Sequence, residues 1–160
     1  MNRALLGLVA GAAGTVALNI ATYLDMAVRG RPASGVPAKM AGTVSHAAGI
    51  DLGGEQQAPN RREGLGALMG YLNGLGTGIL VGLLSPALRS LPMPLASIVV
   101  GGAAMAGSDV PIAALRVSDP RTWGASGWLA DIGPHLVYGF FAVGVFRWLE
   151  RRSRMLRLHW

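Results

Sequence analysis

The chain has no cysteine, which rules out disulfides, thiolate nucleophiles and every metal site built on sulfur. Charge is scarce as well: 14% of the 160 residues are Asp, Glu, Lys or Arg, against roughly 25% in an ordinary soluble domain. Aromatic residues make up 6%, and there are three histidines. No His-Glu-x-x-His pair, Walker loop or Gly-x-Ser-x-Gly elbow occurs in the sequence. The sequence therefore offers no catalytic residue, no cofactor loop and no metal-ligand set, and no cofactor is expected.

What is present in quantity is apolar. Hydrophobic residues make up 51% of the chain and 24 residues are glycine; the mean hydropathy is +0.42. The apolar residues gather in four long blocks, at about 4–26, 65–84, 94–115 and 126–148. Each holds about 20 residues, enough to cross a ~30 Å hydrocarbon core at 1.5 Å per residue. Lipid satisfies no free backbone group, so each block is predicted to be a helix. The first is too long for the apolar part of a typical leader, and three more follow, so it reads as a retained span. The expected fold class is an all-α membrane protein. It has a single integral domain over 1–160, four transmembrane helices, and a short surface helix between the first and second.

That surface helix falls in the extramembrane loop 27–64. The run Ser34-Gly35-Val36-Pro37 followed by Lys39 to Ile50 predicts a short helix. Ser34 is a candidate cap, Pro37 an early position, and Gly49 the stop. Met40, Val44 and Ala47 share one face at helical spacing, to lie on the membrane surface or against the bundle. Asp51 to Arg62, with Gly53-Gly54 and Pro59, reads as a polar linker. His46 reads as a solvated helix residue.

The formal net charge of +6 does not point to nucleic acid, because the arginines sit at the ends of apolar blocks. There they anchor helices among lipid headgroups. The basic tail 149–160, with Arg151, Arg152, Arg154 and Arg157, favours the cytoplasmic side. Four crossings bring the N-terminus to the same side, so both termini are expected in the cytoplasm. Arg29, Arg31, Lys39, Arg61, Arg62, Arg116 and Arg121 balance the count opposite, so orientation rests on the density of charge beside the last span. Trp123, Trp128 and Trp148 bracket that span as interface anchors.

Two patterns lie inside the blocks. Gly66, Gly70, Gly74, Gly78 and Gly82 recur at every fourth position. In water each glycine would weaken a helix by about 1 kcal/mol relative to Ala. In lipid a ridge without side chains lets another helix come close, whether from this chain, a second copy or another membrane protein. The second pattern is a polar layer. Asn19, Asp109 and Asp131 lie ~8–11 Å inside the span ends opposite the termini, with Asn73 and His135 at ~12–15 Å. Asp131 and His135 are i and i+4 on one face, with Gly133-Pro134 between them, and Ser108-Asp109-Val110-Pro111 again sets an acid before a proline.

Two readings of function follow. In one the protein is structural or accessory, and the polar layer only fixes helix register through hydrogen bonds worth about 0.6 kcal/mol each. In the other it is a proton- or cation-linked transporter or channel-like oligomer using Asp109, Asp131 and His135. An enzyme reading finds no nucleophile–base pair.

Several short stretches carry a resemblance: Gly11-x-x-Gly14-Thr15 with Asn19, the turn Arg29-Gly30-Arg31-Pro32-Ala33-Ser34, and His135-Leu136-Val137-Tyr138-Gly139. With the overall layout, they resemble the YagU-like inner-membrane proteins, a bacterial family of unassigned molecular function. The resemblance implies a small multi-pass helical protein of the bacterial inner (plasma) membrane. It carries over no substrate and no catalytic residue.

Overall fold

Each apolar block is the centre of a long helix in the computed structural model, which describes residues 2–157. The helices are α1 (Arg3–Arg29), α2 (Val36–Ala47), α3 (Gln57–Leu83), α4 (Ser85–Leu88), α5 (Met93–Ala114) and α6 (Gly124–Arg157), with a 3-10 turn at Pro120–Thr122 before α6. Four of them, α1, α3, α5 and α6, are long and apolar enough to cross a membrane. The chain is all-α, and α2 is the short helix between the first two spans.

Local chemistry sets the ends. Asn2 Oδ1 accepts from the Ala4 N–H at 3.0 Å, satisfying one of the free donors of the first turn. Gly30 closes α1 in the left-handed region at φ 62°, where a side chain would be strained. Helix α2 starts at Val36, with Pro37 in its first turn as expected and Ser34 Oγ accepting from the Val36 N–H at 3.3 Å. It ends at Ala47, and Gly49 follows at φ 66°. Its buried face is Met40, Ala41 and Ser45, while Val44 and Ala47 are exposed. Small size, more than apolarity, selects that face, because α2 lies against α3.

Two segments expected as loop or tail are helical. Helix α3 begins at Gln57, so the second half of the polar stretch 51–62 forms its first turns. Pro59 fits there, since early N–H groups have no partner within the helix. Helix α6 runs through the basic segment to Arg157; residues 158–160 of the tail lie outside the described residues.

The spans alternate in direction, so Arg3 and Glu150 meet at 3.9 Å at one end, here the terminal end. The strap joining α1 to α2 closes the other, the loop end. Helix α1 packs on α3 and α6, α5 packs on α6, and α3 meets α5 more sparingly. The terminal half has a continuous apolar core that includes Leu6, Ala10, Val81, Ala96, Val100, Ala142, Val143 and Phe146. Leu5, Val9, Val16, Leu72, Leu80, Ile98, Phe140 and Phe141 point outward and are exposed, an apolar coat suited to acyl chains.

Close approach of backbones holds this half together. A Cβ on Gly78 would strike the Gly7 carbonyl and stand 2.7 Å from the Gly11 nitrogen. One on Gly82 would strike the Arg3 carbonyl, and one on Gly74 the Thr15 hydroxyl. These three glycines therefore face α1. Gly66 faces α2, where a Cβ would come within 2.6 Å of Pro37. Gly70 meets nothing within 4 Å. The ridge thus divides between two neighbours and leaves one member uncovered. A second close approach joins α5 to α6, where Cβ atoms on Gly101 and Gly139 would each meet backbone of the other helix.

Candidate functional site

Towards the loop end, residues of all four spans line a half-open cavity of about 690 Å³. Its floor is Tyr138, a fully buried side chain whose hydroxyl donates to the Gly74 carbonyl at 2.5 Å. Its cover is the strap, where Arg31, Pro32, Ser34 and Pro37 line the space. All five residues of the polar layer, Asn19, Asn73, Asp109, Asp131 and His135, line it too. In an antiparallel bundle, groups at equal depth become neighbours, which is why counting residues from the span ends brings them together.

The groups differ in how they are held. Asn73 is a tether: its Nδ2 donates to the Ala104 carbonyl at 2.8 Å, linking α3 to α5. Asn19 is held more loosely, with Nδ2 3.5 Å from the Tyr71 hydroxyl. On α6, His135 Nδ1 lies 2.9 Å from the Asp131 carbonyl and 3.1 Å from its carboxylate Oδ1. Both neighbours are acceptors, so Nδ1 carries the proton. On α5, Ser108 Oγ lies 2.8 Å from the Met105 carbonyl and 3.3 Å from Asp109 Oδ1, and its single proton serves one of them at a time.

Asp109 on α5 and Asp131 on α6 line the same cavity. One oxygen of each, Asp109 Oδ2 and Asp131 Oδ2, is buried without a donor. A carboxylate oxygen only accepts, so each needs a donor from the cavity: a proton on one acid, a water or a cationic ligand. Pro134 adds to the excess of acceptors, because it has no N–H and releases the Ala130 carbonyl, and Ala130 lines the same cavity. Among the described residues, no three His, Asp or Glu side chains are arranged to hold a metal ion.

Both ends of the bundle are fastened by ion pairs. At the loop end Asp25 pairs with Arg29 at 2.6 Å and with Arg31 at 2.5 Å. Arg29 Nη1 also donates to Ser126 Oγ at 2.9 Å, which ties α1 to the start of α6. At the terminal end Glu150, largely buried, pairs with Arg89 and with Arg3 and Arg154, while Arg147 donates to the Leu88 and Leu91 carbonyls at 3.0 and 2.8 Å. Trp123 donates to Ser118 Oγ at 2.8 Å and packs 5.2 Å from Trp128. His46 is exposed on α2, away from the cavity.

Sequence reasoning passed over Tyr138 as a site residue and did not single out Gly7 or Arg31. A tyrosine in the middle of an apolar block, three residues after His135, was the available signal for the first. The strap's place over the cavity depends on tertiary packing and left no local mark. Comparison with protein-family models, curated proteins and solved structures returns no match to this chain.

Proposed function

We propose that this chain is a proton- or cation-linked transport protein of a membrane, with Asp109, Asp131 and His135 as its ion-binding groups. The four candidate spans support the membrane setting. One observation carries the functional reading: two carboxylates on adjacent helices face a cavity with a buried oxygen each and no donor for either. A purely structural or accessory role, with the polar layer fixing helix register, would call for groups paired dry. Asn73 behaves in that way, whereas each acid keeps one oxygen outside its contact with His135 or Ser108. Acidic groups inside a bundle, on helices whose internal prolines free backbone carbonyls, suit an ion pathway.

The resemblance to YagU-like proteins and the arginines on the last turns of α6 support a bacterial inner membrane with both termini in the cytoplasm. A second copy packed on the outward apolar faces is compatible with this function. The test is ion flux in proteoliposomes under imposed proton and sodium gradients. The Asp131→Asn, His135→Ala double variant is expected to lower flux at least about tenfold, equivalent to 1.4 kcal/mol. Unchanged flux in a double variant that keeps its thermal stability would overturn the proposal.

A further inference from the structure

The same cavity points beyond inorganic ions, and this inference rests on the reading of Asp109 and Asp131 as ion-binding groups. We infer that the ligand is a protonated organic amine with an apolar body. Its ammonium would sit between Asp109 and Asp131, and its body would extend towards Trp123.

Three observations lead there. The volume of about 690 Å³ far exceeds what a bare cation fills and falls in the range of small-molecule pockets, roughly 300–1,000 Å³. Metal ions are poorly served, since no three suitable side chains converge among the described residues, whereas an ammonium needs only acceptors, having three N–H donors of its own. The lining also offers apolar and aromatic surface, with Leu18 on α1, Tyr71 on α3, Ile112 on α5 and Trp123 before α6. Trp123 lies beside Gly127, four residues and so about 6 Å nearer the loop end than Asp131 at 1.5 Å per residue, the reach of an aryl group on a short linker.

The experiment measures binding of 2-phenylethylammonium to purified protein in uncharged detergent by calorimetry, with 2-phenylethanol and magnesium chloride as comparison probes. The amine is expected to bind saturably, the alcohol at least about tenfold more weakly, and magnesium not to compete. The Asp109→Asn, Asp131→Asn double variant should lose amine binding by the same factor. In case that variant does not fold, Gly70→Leu provides a second arm. Gly70 lines the cavity with open space where a Cβ would lie, so leucine fills the ligand's space without displacing backbone. Equal binding of alcohol and amine, competition by magnesium, or full affinity in Gly70→Leu would each overturn the inference. Ion flux without amine binding overturns this inference alone, whereas amine binding without flux overturns transport and leaves the ligand class standing.

Discussion

The terminal half and the loop half of this bundle use the same residue types for opposite ends. In the terminal half glycine removes side chains so that backbones touch: Gly78 on α3 presses on Gly7 and Gly11 of α1. Around that contact the core is small and apolar, with Ala10, Ala96 and Ala142 wholly buried. In the loop half Gly70 has the same sequence context and touches nothing; the absent side chain leaves volume instead of contact. Glycine spacing alone does not say whether a helix face is closed or open. What decides is whether a second backbone arrives, as that of α1 does at Gly78 and does not at Gly70.

Three substitutions sharpen that contrast. The largest effect is expected from Gly78→Leu, which must push α1 and α3 apart. It should lower unfolding stability in detergent by about 3 kcal/mol or more, at or above the upper range for overpacked cores, and a wild-type melting temperature would refute the closed half. Tyr138→Phe is intermediate. It removes the hydroxyl donated to Gly74 at the boundary between the halves, and denaturant titration should show a loss of about 1 kcal/mol, the usual net value of such a bond. Gly70→Leu should have the smallest effect. Leucine favours the helix by up to about 1 kcal/mol over glycine, so stability should stay level or rise slightly in the same titration. A marked loss would mean that another surface covers Gly70.

Much of this architecture was legible in the residues, because lipid imposes length and apolarity on any span. The depth of the polar layer was legible too, since antiparallel helices bring residues of equal depth together. The division of the glycine ridge was not anticipated, although helix geometry contains it. Residues four apart advance about 40° around a helix at each step, so Gly66 and Gly82 differ by about 160° and cannot face one neighbour. The start of α3 was hidden for another reason: Gln57 to Glu63 is polar, with no apolar periodicity to mark a helix. The distinction between Asn73, which tethers α5, and Asp109, which keeps an unpartnered oxygen, depends on side-chain directions that residue spacing does not specify.

Helix α6 has 34 residues, about 51 Å of rod at 1.5 Å per residue, where ~30 Å would cross the hydrocarbon. Its surplus turns carry Arg151, Arg152 and Arg154 beyond the apolar zone, yet the same rod holds Asp131 and His135. Between that stub and the two side chains the rod is pinned twice, by Glu150 clasped between Arg3 and Arg89 and by the backbone contact of Gly139 with α5. The outer turns are therefore an anchor fixed to the same bundle that holds the acids.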